Sequence, residues 1–402
     1  RGKLSVYKSL EEAVAISCEN MQALDSEYLH IDDAFMRVNA ENITSLIDVP
    51  NFDRSSMDGY VIGRADMQKL KTGAPLTLKV TATIKAGSIE SRPIKIGETY
   101  RIMTGALLPE GGAAVIKQED VQIHGTFIIV NGGYEQGENI QRAGQELKAG
   151  DKVAAQGQVL NAEILERIAA CGMEKILVHK VPRIYVINTG SELLLPGAPV
   201  KTGRIYNSNR SLLSCKIART GAIPLLSDSI IEDDLQAIGD EIERAALVSD
   251  MIIISGGTGK GVYDLVYNAF ECLNARPLFR GINIIPGKET SAALFNGKLL
   301  YNLPGNCYAA GLLFEALIKP ALLKLKGDLF STREWFEIQL GGPIKHIRPG
   351  RSLYRGEMII KQGCAYAQPI SKGNTTIRNI SLLLDLQAGQ GAAGDMVRAQ
   401  LC

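Results

Sequence analysis

The chain has 402 residues, too many for one ordinary core, and at roughly 100–200 residues per domain it divides into two to four domains. Hydrophobic residues make up 46% and charged residues 22%, as in a soluble globular protein, and a formal net charge of +1 gives no overall basic face for nucleic acid. No apolar run approaches the ~20 residues of a membrane-spanning helix, and seven scattered cysteines without a CxxC pair argue against a disulfide framework.

The chain begins Arg1-Gly2-Lys3, which reads as a trimmed start without a signal peptide, and a reducing cytoplasm fits the cysteine usage. The four histidines are widely spaced, which makes a zinc site or a His-dependent hydrolase a poor reading. Ser9-Leu10-Glu11-Glu12 is a capping box, and Leu10, Ala13, Val14 and Cys18 follow at helical spacing. A short helix at 32–38 and a strand at 40–45 complete an N-terminal part, 1–50. From 51 to 140 the texture is β, with strands at 76–84, 98–103, 114–118 and 127–130 between Gly and Pro turns. A polar, Gly-rich linker part, 141–181, carries a helix with Ile164, Leu165 and Ile168 on one face and Gly172 as its stop.

Between 182 and 326 strands alternate with helices. The strands are 183–188, 222–226 and 251–255; the helices are 211–219, 234–247 and 263–273. That alternation predicts a three-layer α/β domain with a parallel sheet. A long helix at 309–325, kinked by Pro320, closes it. The tail, 327–402, predicts a second small β domain, a barrel, with strands at 336–340, 357–361, 381–384 and 396–401. The fold class is therefore multidomain α/β and β: one α/β domain, two small mainly-β domains and a helical/β linker.

The sharpest local signal is Ile252-Ile253-Ile254-Ser255-Gly256-Gly257-Thr258-Gly259-Lys260-Gly261, an apolar strand entering a glycine turn before a helix. Such a turn either cradles an anion on its amides or is a bare tight turn. The strand at 183–188 ends in Thr189-Gly190-Ser191-Glu192, and Asn207-Ser208-Asn209-Arg210 opens a helix that Ser208 or Asn209 would cap. Arg210 reads equally as a solvated charge. Carboxylates recur at these strand ends: Glu192, Asp228, Asp233 and Asp264. Asp233 has the offset of a helix N-cap, with Gln236 three residues on. Acids crowded around a phosphate loop repel one another and the ligand, a conflict that Mg²⁺ would resolve by bridging carboxylate and phosphate oxygens. Leu303-Pro304-Gly305-Asn306 is a further turn at this edge. Lys288, in Pro286-Gly287-Lys288, meets an anion or lies on the surface. In the β domain, Ser56-Met57-Asp58-Gly59-Tyr60 and Arg101-Ile102-Met103-Thr104-Gly105-Ala106 each read alone as turns.

Taken together and in order, these segments resemble the molybdopterin molybdenumtransferase family, the bacterial MoeA type that is similar to the E domain of gephyrin. The likeness also rests on Asn139-Ile140 with Gly144-Gln145-Glu146, and on residues 230–234; it weakens after about residue 330. It implies an enzyme that binds adenylylated molybdopterin and molybdate, cleaves the phosphoanhydride, releases AMP and leaves molybdenum on the dithiolene. It implies a homodimer whose subunits share the active site, and a molybdopterin adenylyltransferase as partner. Asp58, Thr104, Glu192, Asp233 and Asp264 stand at the family's functional positions, and Glu192, Asp228, Asp233 and Asp264 would hold Mg²⁺. Thr189, Gly190, Ser208, Asn209, Arg210, Gly256, Gly257, Thr258, Gly259, Lys260, Lys288, Pro304, Gly305 and Asn306 would line the pterin-nucleotide site.

Some positions depart from the family pattern. The glycine turn reads Gly256-Gly257-Thr258-Gly259 in place of Gly-Gly-Val-Ser, as in molybdopterin adenylyltransferases. Gly281 and Ile285 replace lysines, and Cys307 replaces proline. Two alternatives follow: a molybdopterin-binding carrier without catalysis, and an adenylyltransferase.

Overall fold

Long apolar runs bounded by glycine turns become buried parallel strands only if both faces of their sheet are covered. The computed structural model, which describes residues 7–70, 74–89, 92–257, 265–330, 334–345, 349–370 and 380–402, shows such a sheet. Two compact units divide the chain: Arg1–Glu41, Gln156–Asn161 and Ile176–Cys402 form one, Asn42–Ala155 and Ala162–Lys175 the other.

The first unit is built on a six-stranded sheet in the order Ile223–Leu226, Arg183–Asn188, Met251–Ser255, Lys298–Leu303, Ser291–Phe295, Arg276–Arg280. The first four strands are parallel and the last two run antiparallel to their neighbours, so the expected parallel sheet is a mixed one. The cause is local: Asn296 (φ 49°) and Gly297 (φ 76°) make a two-residue turn that returns the chain at once. One face packs Ile252 and Ile254 against Ile238, Ile242 and Ala245 of the helix Leu235–Val248 and Val266 of the helix Leu265–Cys272. The other packs Val186 and Ile253 against Leu213 and Ile217 of the helix Ser208–Arg219 and Leu313 and Leu317 of the closing helix. Ser9 caps the first helix, Leu10–Glu19, in the predicted capping box with Glu12.

The closing helix breaks as Pro320 requires. α-Helical Cys307–Leu313 and Lys319–Leu325 flank a π-helical turn, Phe314–Ile318. The wider turn accommodates the carbonyls that a proline lacking an N–H leaves without a donor. The predicted helix at 32–38 is only a 3₁₀ turn, Ile31–Asp33, because Met36 takes a left-handed φ of 62° that no helix continues through. The predicted strand at 40–45 shortens to Ile43–Thr44. The C-terminal residues form a five-stranded antiparallel sheet, Phe336–Gln339, Met396–Leu401, Ser381–Leu386, Ser352–Lys361, Cys364–Pro369. The last of these strands has no counterpart in the sequence reading.

The second unit holds another six-stranded sheet: Gly112–Lys117, Gly59–Gly63, Glu98–Ile102, Leu76–Ile84, Phe127–Val130, Val121–His124. Gly59 is required for close packing of strands, since a Cβ there would lie 1.9 Å from the Ile116 carbonyl oxygen. A helix, Arg64–Leu70, buries Met67 and Leu70 against this sheet; the sequence reading missed it, its seven residues being too few for a clear period. Among the described residues no helix is long and apolar enough to cross a membrane.

Candidate functional site

The four parallel strands all end at one edge of their sheet, and the loops that leave it bring Thr189, Asn209, Ser255, Gly256 and Gly305 together. Register places Asn188 opposite Ser255, and Ser255 opposite Leu303. The Thr189 N–H donates to the Ser255 carbonyl at 3.1 Å, and the Gly256 N–H to the Leu303 carbonyl at 3.3 Å. Gly256 sits at φ +115°, where a Cβ would be 2.1 Å from the Thr189 carbonyl oxygen; Gly257 sits at φ +60° beside Val266 and the Thr189 hydroxyl. Only glycine fits this junction. Gly305 follows Pro304 on the third loop, and a Cβ on Gly305 would lie 3.8 Å from the Gly256 Cα, so the two turns face each other.

Asn209 fastens them. Its Nδ2 donates to Ser255 Oγ at 2.5 Å and to the Gly305 carbonyl at 2.8 Å. Neither Ser208 nor Asn209 caps its helix: Asn207 does, accepting from the Arg210 N–H at 3.1 Å. The predicted cap is thus corrected, and Asn209 is freed to join the loops. Ser208 is the first helical residue. Arg210 is no solvated charge, because its guanidinium donates to the Ser227 carbonyl, beside the exposed Asp228. Asn306 caps the next helix, accepting from the Tyr308 N–H at 2.9 Å.

Asp233 is also corrected. The helix Leu235–Val248 is capped by Asp234, which accepts from the Ala237 N–H at 2.9 Å. Two adjacent aspartates offered the same motif one residue apart, and the following turn selected the second. Asp233 instead accepts from the Ser191 N–H at 3.1 Å and so ties its loop to Thr189–Glu192. The Glu192 carboxylate folds over Gly190, whose φ of +150° and missing Cβ leave room for it. Lys288 is exposed and lies over the Tyr7 ring at 4.8 Å. Thr258, Gly259, Lys260 and Asp264 lie outside the described residues.

Among the described residues, several polar atoms at this edge are buried without a hydrogen-bond partner: Asn188 Nδ2, Thr189 Oγ1, Asn209 Oδ1, Ser291 Oγ and both amide atoms of Asn302. Buried polar groups are almost always satisfied, so such a concentration sets this edge apart from the rest of the sheet. Sequence reading missed Asn188, Ser255, Ser291 and Asn302. The available signal was polar residues closing strands that are otherwise apolar.

Among the described residues no three His, Cys, Asp or Glu side chains converge as a metal-holding group. Glu192, Asp228 and Asp233 therefore do not form an ion site by themselves.

In the second unit the structure joins two predicted residues far apart in sequence. Asp58 Oδ1 accepts the Thr104 N–H and the Thr104 hydroxyl, each at 2.7 Å. These bonds hold the Asp58 carboxyl below its ordinary pKa. Glu146 accepts from Gln141 and lies 3.5 Å from Arg54.

An edge of turns and unpartnered polar groups above a mixed α/β sheet, with a separate β unit, defines a multidomain small-molecule-binding protein. Residues 8–172 match the family model described as MoeA N-terminal region (domain I and II). Residues 185–324 match the one described as probable molybdopterin binding domain. A molybdopterin molybdenumtransferase of Staphylococcus epidermidis is 30% identical over 319 residues, 79% of this chain and 76% of that protein. Molybdopterin molybdenumtransferase 2 of Mycobacterium tuberculosis is 30% identical over 325 residues, 80% of each. The crystal structure of a molybdopterin biosynthesis MoeA protein from Pyrococcus horikoshii superposes with a TM-score of 0.81 at 28% identity, covering 98% of this chain and 99% of that one. The chain belongs to the molybdopterin molybdenumtransferase family.

Proposed function

We propose that this protein acts in molybdenum cofactor biosynthesis as a transferase, taking adenylylated molybdopterin and molybdate and releasing AMP. The observation that carries the reading is the junction of Thr189, Asn209, Ser255, Gly256 and Gly305 at the open edge of the sheet, with its buried polar atoms unpartnered. Open α/β sheets bind ligands at this edge. Gly256 spends its N–H on Leu303, so anion contacts fall to Gly257 and Gly305 of the facing turns. Water attacks the α-phosphorus and gives up a proton to a carboxylate of the site, the bond from that phosphorus to the bridging oxygen breaks, AMP leaves with the water oxygen, and the pterin phosphate keeps the bridging oxygen, its charge met by those main-chain groups.

Asp58 and Thr104 supply an oriented, ionised carboxylate and a hydroxyl. The homodimer with a shared site, which the resemblance implies, would bring the pair from a second copy of the chain. Asp264 would complete the acids for Mg²⁺, since Glu192, Asp228 and Asp233 alone do not converge on an ion. A cytoplasmic location and supply of the nucleotide-tailed pterin by an adenylyltransferase belong to the same proposal.

The test is incubation with adenylylated molybdopterin, molybdate and Mg²⁺. Molybdate-dependent AMP release is expected. Pterin binding without AMP release at any molybdate level would overturn the enzymatic reading in favour of a carrier, and ATP consumption with molybdopterin would favour an adenylyltransferase.

A further inference from the structure

The Asp58–Thr104 pair has a cation beside it. Arg101 lies on Glu98–Ile102, opposite Tyr60, and three residues before Thr104. It is exposed, and among the described residues its guanidinium makes a single long hydrogen bond, Nη2 to Gln118 Oε1 at 3.4 Å. Gln118 is fixed in turn, its N–H donating to the Asp58 carbonyl at 3.1 Å. Arg101 is close enough for its charge to be felt at Asp58, yet the two make no ion pair. A guanidinium beside an unconstrained carboxylate would close on it in a two-pronged pair. Here Asp58 Oδ1 is already turned to both Thr104 donors, and most of the five guanidinium donors stay open.

Two lysines lie at the neighbouring strand ends. Register sets Lys117 opposite Gly59, and Lys85 directly follows Ile84, the partner of Ile102. The nearby acids are Asp58 and Glu119, and Glu119 accepts from Gln118 Nε2 at 3.2 Å. A guanidinium beside an oriented carboxylate and hydroxyl suits a ligand that is negative and rich in acceptors. The planar fork of arginine matches two oxygens of a tetrahedral oxyanion, which a lysine would meet only as a point charge.

We propose that Arg101 binds a tetrahedral oxyanion, molybdate or a phosphate group, on the Asp58–Thr104 face of the second unit. The inference rests on the function proposed above and gives a role to Arg101, which opens a segment that carries the family resemblance but was assigned no function there. The experiment uses the whole 402-residue chain, Arg101→Ala and Arg101→Lys, in two measurements.

In steady-state AMP release, Arg101→Ala should raise the KM for one anionic substrate at least tenfold with kcat within about threefold, and Arg101→Lys should fall between. A KM effect for molybdate alone assigns the oxyanion as molybdate; one for the pterin nucleotide alone assigns it as phosphate. Unchanged KM, or a fall in kcat alone, overturns the proposal. In calorimetry with molybdate and with AMP as probes, Arg101→Ala should bind one of them at least tenfold more weakly than the unsubstituted chain. Equal affinities, or no binding of either probe to the unsubstituted chain, overturn it as well. A chain that releases no AMP but shows the calorimetric loss retains the Arg101 site and discards the catalytic reading.

Discussion

Asp58 and Thr104, 46 residues apart, meet through a single carboxylate oxygen that takes both the main-chain N–H and the hydroxyl of the threonine at 2.7 Å. Donors to the ionised form keep the proton off, the main-chain bond contributing most and the hydroxyl next. Asp58 should therefore titrate below the ~3.9 of an ordinary aspartate. A group with a depressed folded-state pKa favours the folded state above its ordinary pKa, and that effect fades as the pH falls through the depressed value. Thr104→Val removes the hydroxyl and keeps the N–H. It should move the Asp58 carboxyl up toward the ordinary value, and the acid limb of AMP release should move up with it. Carboxyl NMR titration checks the first effect and a pH–rate profile the second; an unmoved titration would show that the hydroxyl bond is not made in solution.

Gly256 is the second test, because its requirement is steric. Alanine there would meet the Thr189 carbonyl oxygen at 2.1 Å and would hold a φ of +115° that side chains rarely adopt. Strain of this kind costs on the order of 1–3 kcal/mol, and the clash adds to it. Gly256→Ala should lower Tm and weaken AMP binding together, whereas alanine at Gly239, which meets nothing within 4 Å, should leave AMP binding intact. Thermal melts and calorimetry on both variants separate the two effects.

Much of this edge was legible in the sequence, and what was not has identifiable causes. Ile252–Ile254 and Arg183–Asn188 announced themselves as buried strands by unbroken apolar residues, and Gly256-Gly257 marked the turn. The caps were misplaced because Asp233 and Asp234, or Asn207, Ser208 and Asn209, offer the same short polar side chain in adjacent positions. A cap depends on φ and ψ at one residue, which tertiary packing sets. Asn188, Ser255 and Asn302 gain meaning only from register, and register across Met251–Ser255 and Lys298–Leu303 is long-range. The Asp58–Thr104 bond is of the same kind: two ordinary turn signals brought together by the sheet between them.

Asn209 joins two loops through one amide nitrogen, so the substitution chosen decides what is learned. Asn209→Ala removes both bonds and strands Ser255 Oγ, which is buried. Loss of buried bonds of this type costs about 1–3 kcal/mol, read as a shift in urea midpoint. Asn209→Asp keeps the shape but replaces the donor by a carboxylate against the Gly305 carbonyl. It should destabilise at least as much, and it should weaken AMP binding further than alanine does because it adds negative charge to an anion site. If the aspartate variant bound AMP more tightly than the alanine variant, the edge around Gly305 would not be the anion site.

Glu315 lies on the π-helical turn, away from the loops that carry the proposed chemistry. It is 5% exposed and lies between Lys216 Nζ at 2.5 Å and Lys319 Nζ at 2.8 Å. Burial alone would push its carboxyl up, but the two ammonium groups outweigh that and hold it below the ordinary glutamate value. Glu315→Gln would take the carboxylate from between two largely buried lysines, and removing one partner of a buried pair costs about 3–5 kcal/mol. Because the folded-state pKa is depressed, the stabilisation is present above the ordinary glutamate range and is lost as pH falls through the depressed value. Urea midpoints measured from pH 7 downward should therefore fall for the unsubstituted chain, while Glu315→Gln, already lower at pH 7, should lose less over the same interval. Parallel pH profiles for the two chains would show that the triad contributes nothing to acid sensitivity. AMP affinity at pH 7 should be the same in both, since Glu315 packs beneath the sheet with the closing helix and not at its open edge.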